Sequence, residues 1–205
     1  MANNLDLEEQ EQLEELKHFW KKNGNWISWL LIIVLGSLAA WNGYQWWQKN
    51  QGMQSSAMLD EVEKVLQAGD AQKIDRAFSD MRERFPSAYT TQQAGLLIAK
   101  NHYDAGRTDQ SKAALKWLVD NGSDEGLVSI ARLRMSAVLV DAKAYDEALK
   151  VLEAGIAEEF AALASDRRGD IYMLQDKKAD ARTQYQSAYK ALGEQSDYRR
   201  LVTFK

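Results

Sequence analysis

Residues 23–48 carry no charged side chain, and six of the chain's seven tryptophans lie in or beside that stretch. The hydrocarbon core of a bilayer is about 30 Å thick, and a helix crosses it with roughly 20 mostly apolar residues rising about 1.5 Å each. Trp26 and Trp46 are 20 residues apart. Trp20, Trp26 and Trp29 mark one end of the stretch, and Trp41, Tyr44, Trp46 and Trp47 the other. Indole rings settle at the headgroup level, so this spacing predicts two aromatic belts around one membrane span. Two other readings compete. Ser37-Leu38-Ala39 is a small-x-small triplet of the kind a signal peptidase cuts. Signal peptides, however, have a short basic leader and an apolar region of about 7–15 residues. Here the apolar run continues past the triplet, and the leader is acidic. The third reading, a buried helix of a water-soluble domain, fits poorly with so long an uncharged run flanked by aromatics. The chain therefore divides into an acidic leader (1–22), a transmembrane helix (23–48) and a domain (49–205).

Orientation follows from Lys and Arg in the short flanks, and acids count for little. Lys17, Lys21 and Lys22 precede the span, whereas Lys49 is the only base after it until Lys64. That bias puts the N-terminus in the cytoplasm and the domain outside. Within the span, Gly36, Ala40 and Gly43 recur at i, i+4 and i+7, a small-residue stripe that lets another membrane helix approach closely. Asn42 lies nearby with a polar group to bond across such a contact. In the leader, Leu5, Leu13, Leu16, Phe19 and Trp20 make a narrow apolar stripe, although a solvated tail accounts for the segment as well.

The formal net charge is −4, of which the leader carries −3. With no basic field, nucleic acid is excluded as an expected partner. The chain has no cysteine, which removes disulfides, thiol nucleophiles and thiolate metal sites. Its two histidines, His18 and His102, are too few and too far apart for a histidine metal site. One proline and 45% hydrophobic residues in a charge-rich chain point to an all-helical domain.

From Met58 onward the apolar residues follow helical periodicity. Met58, Leu59, Val62, Val65 and Leu66 form the first stripe, and Ile74, Ala77, Phe78 and Met81 the second, ending before Pro86. Leu96–Tyr103 pairs with Ala113–Val119, Ile130–Val140 with Ala148–Ile156, and Leu163–Leu174 with Ala179–Leu192. Aligning the second helices at Ile74, Ser111, Ala148 and Ala181 gives spacings of 37, 37 and 33 residues. Tetratricopeptide repeats have a period of about 34 residues. In the last unit Gly169, Tyr172, Ala181, Tyr185 and Ala188 stand where that pattern wants Gly, Tyr, Ala, Phe and Ala. Ser165, Arg132 and Gly95 replace its usual Trp, and Arg168 an apolar residue. Such units cannot bury their apolar faces alone, so they stack. The expected fold is all-α: one N-terminal transmembrane helix, then a tetratricopeptide-repeat-like right-handed α-solenoid of about four helix pairs. The tail Tyr198–Lys205 reads as a cap.

No phosphate loop, dinucleotide fingerprint or zinc-protease motif occurs. Acid pairs such as Asp60-Glu61 and Glu158-Glu159 read as solvated faces, and His102 as a packed residue. No enzyme and no cofactor is expected. What a helical stack offers instead is a concave surface lined by first helices. The facing positions are Lys100 and Tyr103, then Leu133, Ala137 and Val140, then Asp166, Asp170 and Met173. An apolar strip flanked by both charge signs suits extended or partly folded polypeptide.

The order of parts resembles a known family. A leader ending in LKHFWKKNG is followed by a span ending in WNGYQWW and then by degenerate repeats. LVSIARLRMSAVLVDAKAYDEALKVLEAG and AALASDRRGDIYMLQDKKADARTQYQSAY lie among those repeats. Over essentially the whole chain this is similar to the YfgM family of Gram-negative inner-membrane proteins. The resemblance implies a cytoplasmic N-terminus and a periplasmic repeat domain. It also implies association with the SecYEG translocon and the membrane-bound chaperone PpiD, and a role in passing exported client polypeptides to periplasmic chaperones. A second reading is a structural scaffold for cell-envelope assembly, in outer-membrane biogenesis or division, without client binding.

Overall fold

Runs of Ala, Leu, Lys, Glu, Gln and Arg favour helix, and Gly, Asp and the single Pro punctuate them. The computed structural model describes residues 7–153, 155–192 and 197–203, and its regular elements among these are all helical. They are α1 (Leu7–Ala68), α2 (Ala71–Arg84), α3 (Tyr89–Asp104), α4 (Thr108–Asn121) and α5 (Glu125–Asp141). Then come α6 (Tyr145–Val151), a 3₁₀ turn (Glu158–Phe160), α7 (Ala161–Leu174), α8 (Lys178–Ala191) and α9 (Asp197–Thr203). Leu5 of the leader stripe, and Phe204 and Lys205 of the expected cap, lie outside the described residues.

The chain divides into two units, Met1–Asn50 and Gln51–Lys205. In the first, α1 is long and apolar enough to cross a membrane, and the protein covers only 6% of its most apolar window. Trp26, Ile33 and Trp46 are 73%, 63% and 70% exposed. Burying one such side chain stabilises by about 1.5–3 kcal/mol. A helix that is apolar all round therefore needs a cover the protein itself does not provide. On that exposure the buried-core reading of residues 23–48 fails.

The second unit is a stack of helix pairs. Gly69, Gly106, Lys143 and Asp176 adopt positive φ at 73°, 72°, 58° and 56°. They recur at the 37, 37 and 33-residue spacing seen in the sequence. After the last three, the next residue's N–H closes the turn: Arg107 to the His102 carbonyl, Ala144 to Leu139 and Lys177 to Tyr172, at 2.7–2.9 Å. Asp70 caps α2, its carboxylate accepting from the Gln72 and Lys73 N–H groups at 3.1 and 3.2 Å. The Lys73 N–H is the main reason its pKa lies below the usual carboxylate value. At the other end of α2, Phe85 leaves the helical region before Pro86.

Small residues sit where the paired helices cross. Ala148, Ala181 and Ala188 are completely buried, and the Ser111 hydroxyl donates to the Ala99 carbonyl at 2.7 Å. Gly169 faces the Tyr185 ring so closely that a Cβ there would lie 2.4 Å from Cε1. Between pairs, α3 touches α5 and α5 touches α7, the neighbour-to-neighbour packing of a solenoid.

One helix is shorter than the sequence suggests. The periodicity extends α6 to Ile156, but it stops at Val151. The Arg132 guanidinium takes the Val151 carbonyl at 3.2 Å, and the Ser129 hydroxyl accepts the Ala157 N–H at 2.8 Å. Gly155 turns the chain at φ 70°, against that same guanidinium. Arg168 reaches the Leu152 carbonyl at 3.4 Å and the Ser165 hydroxyl at 3.0 Å. The arginines that depart from the repeat pattern are thus the groups that hold the segment after α6.

Candidate functional site

Side chains of α3 and α5 frame a pocket of ≈ 280 Å³. Ala99, Leu115, Ala137 and Val138 make it apolar, and Lys100, Tyr103, Asp104 and Arg134 supply its polar lining. Helical spacing explains the grouping, since positions 99, 100, 103 and 104 are one to five residues apart and share a flank of α3. Lys100 pairs with Asp104. The Tyr103 hydroxyl donates to the Asp141 carboxylate, joining α3 to α5. That bond and the adjacent negative charge raise the phenol's pKa. Arg134 donates from Nη1 to the Leu96 carbonyl at 2.9 Å, which holds its guanidinium across the two helices. The remaining N–H groups have no partner among the described residues.

The eight positions expected on the partner-facing surface therefore fall in three places. Lys100, Tyr103 and Ala137 line one pocket. Leu133 is buried in the core, and Val140 is partly buried against it. Asp166, Asp170 and Met173 belong to the α7–α9 end. Asp166 is 3% exposed and accepts a hydrogen bond from the Tyr198 hydroxyl of α9. Asp170 accepts from the Tyr185 hydroxyl of α8 at 2.8 Å. Burial and the neighbouring carboxylates push both tyrosines well above the usual phenol range. Arg134 and Asp141, adjacent in sequence to Leu133 and Val140, went unrecognised because repeat position alone gives no sign of a bond between helices.

Met173 lines a second, larger pocket of ≈ 690 Å³ with residues of α8 and α9. Tyr185, Tyr189 and Val202 are its other apolar lining residues, and Lys178, Arg182 and Lys190 bring charge.

On α1, Gly36 and Gly43 have open space where a Cβ would stand, with nothing within 4 Å. Gly36, Ala40 and Gly43 share one face at helical spacing, whereas Asn42 lies about 100° round the axis from Gly43.

His102 is buried and fully engaged. Its Nδ1 accepts from Arg107 Nε at 2.8 Å, so Nε2 carries the proton that Asp75 receives at 2.9 Å. Among the described residues no three or more His, Asp or Glu side chains gather as a metal site would need. What both pockets offer is apolar surface edged by charge.

Relatives agree with this architecture. The model of a tetratricopeptide repeat-like domain family matches residues 17–205. A protein of Neisseria gonorrhoeae named ancillary SecYEG translocon subunit is 32% identical over 97% of this chain and 96% of its own length. Proteins of the same name from Haemophilus influenzae and Escherichia coli are 29% and 26% identical. Each match covers 89% of this chain and, respectively, 89% and 88% of the relative. In its repeats, its long apolar helix and its relatives alike, the chain belongs to the YfgM family of tetratricopeptide repeat-like proteins.

Proposed function

We propose that this chain is a membrane-anchored ancillary subunit of the SecYEG translocon. In this reading residues 23–48 cross the inner membrane, the N-terminus is cytoplasmic and the repeat domain, residues 49–205, is periplasmic. The repeat domain binds newly exported polypeptide and passes it on to periplasmic chaperones, among them a membrane-bound PpiD-like partner, and performs no chemistry itself. The observation that carries the reading is the pairing of full-length likeness to proteins of that name with an apolar helix that the protein leaves uncovered.

The pocket between α3 and α5 is where an extended client would lie. An aliphatic or aromatic side chain would occupy the space between Leu115, Ala137 and Val138, and Arg134 would hold a carboxylate or carbonyl of the client backbone. Gly36, Ala40 and Gly43 would seat a helix of the translocon, because small side chains let helix backbones approach and gain packing contacts in lipid.

A photoreactive residue placed at Tyr103 or Ala137 of the full chain, in cells exporting a labelled protein, tests the binding role. Capture of the exported chain before it folds is expected. Capture of folded envelope proteins alone would leave only the scaffold reading. Alkaline phosphatase fused after Lys205 tests topology, since it is active only in the periplasm.

A further inference from the structure

We infer that the α8 face beside α9 is a second docking surface, separate from the α3–α5 pocket, and that its occupant is an acidic amphipathic helix of a partner protein. In a repeat stack, the second helix of each unit is covered by the first helix of the next. The first helices α3, α5 and α7 contain 16, 17 and 14 residues. Over α8, which has 14 residues, that place is taken by α9, which has seven. At about 1.5 Å per residue, roughly 10 Å of cover lies along roughly 21 Å of helix. Val202 is buried against Ala181, Tyr185 and Ala188, so α9 is seated on α8. Beside it lies the ≈ 690 Å³ pocket.

The pattern along the uncovered face specifies a helix. Lys178, Arg182 and Tyr189 stand exposed at i, i+4 and i+11 along one stripe of α8, with the buried Tyr185 ring at i+7 forming the floor beneath them. Met173 and Tyr189, both lining the pocket, leave apolar surface exposed there. An apolar floor edged by exposed side chains of one helix is a surface onto which an amphipathic helix packs.

Charge specifies its sign. The chain as a whole is acidic, yet among the described residues the charged ones lining this pocket are cations: Lys178, Arg182 and Lys190. Arg182 and Lys190 form no ion pair among the described residues, and Lys178 has only the exposed Asp176 at 3.6 Å. Arg199 adds a fourth cation from α9, its guanidinium 4.2 Å from the Tyr189 ring centre. Glutamates or aspartates flanking the apolar stripe of a partner helix would meet these cations at the rim, where charge sets specificity and association rate.

The test uses the full chain in uncharged detergent micelles and a fluorescent helical peptide of about the length of α8. The peptide carries leucines at i, i+4, i+7 and i+11, with flanking glutamates and a photoreactive leucine analogue. A second peptide has lysines in place of the glutamates. Saturable binding of the acidic peptide is expected, weakening as salt shortens the Debye length from about 10 Å to about 3 Å. Crosslinks should map to Met173 and Tyr189. Both charges reversed in Arg182→Glu/Lys190→Glu, an exposed pair that leaves the core intact, should weaken the acidic peptide about tenfold and make the lysine peptide the tighter binder. Equal binding of both peptides, crosslinks at the α3–α5 pocket, or affinities unmoved by the reversal would overturn the inference. So would wild-type protein that ignores the peptide but binds phosphatidylglycerol vesicles, which would mark the face as a lipid contact. None of these outcomes depends on whether clients occupy the α3–α5 pocket.

Discussion

Replacing Gly169 with alanine should destabilise the repeat domain, although alanine is the better helix former. The new Cβ would lie 2.4 Å from Cε1, 2.6 Å from Cδ1 and 2.9 Å from Cζ of Tyr185. Non-bonded carbons are most favourable at about 3.5–4.0 Å, so the ring must retreat by about 1 Å. It has little freedom to do so. Its hydroxyl is held by Asp170 at 2.8 Å, and it packs in one cluster with Ala181, Ala188 and Val202. Overpacking of this kind costs about 1–3 kcal/mol, and weakening a hydrogen bond to a charged group costs about 1.5–3 kcal/mol more. Against this, alanine gains about 1 kcal/mol of helix propensity over glycine. The net expectation is a loss of about 1.5–5 kcal/mol. For a domain of this size that lowers Tm by about 3–20 °C, read by circular dichroism of the full chain in detergent. A second substitution separates the clash from backbone effects. Tyr185→Leu removes the ring, so Gly169→Ala/Tyr185→Leu should cost less than the two single changes added together. A Tm for Gly169→Ala at or above that of the parent would refute the account of the crossing.

Three further substitutions test other parts of the fold. His102→Ala removes the bridge between Asp75 and Arg107 and leaves a buried gap; a loss of about 2–4 kcal/mol is expected in denaturant titration, with His102→Asn losing less. Asp70→Ala removes the α2 cap and should lower Tm at neutral pH. Because the Asp70 pKa is depressed in the folded chain, its stabilisation is present above the unfolded value of about 3.9 and disappears as pH falls through the folded value, so parent and variant should converge in acid. In α1, Gly36→Leu/Ala40→Leu/Gly43→Leu keeps the span apolar but closes the small-residue face; membrane insertion should persist while co-purification with the translocon falls, and unchanged co-purification would place the contact elsewhere.

How far the fold could be read from sequence depended on whether a local rule or a partner decided each position. The repeat register was legible because close helix crossing admits only small residues, and Ala148, Ala181 and Ala188 stand there fully buried. The turns were legible for two reasons. Glycine permits positive φ at residues 69 and 106, and the same spacing carries the turn to Lys143 and Asp176. The end of α6 was not legible, because local composition favours helix through Glu153. It is set by Arg132 and Ser129, side chains of another helix that take up its carbonyl and the following N–H.

The surface divides along the same line. Repeat position alone tells which face of a first helix looks away from its partner helix, and it selected Lys100, Tyr103 and Ala137, which meet at one pocket. It also selected Asp166 and Asp170, which sit at equivalent positions but are bound by Tyr198 and Tyr185. Those tyrosines come from α9 and α8, so the elements that complete the C-terminal end of the stack withdraw two carboxylates from the face that would otherwise bind a client. What remains exposed there is Met173 beside the cations of α8. A stack braced from neighbour to neighbour holds these two surfaces in fixed register. One is a small apolar pocket with a single outward arginine among the described residues. The other is a larger groove rimmed by cations. On the function proposed above, two surfaces of different shape and charge would let one chain hold a passing client and a resident partner at the same time.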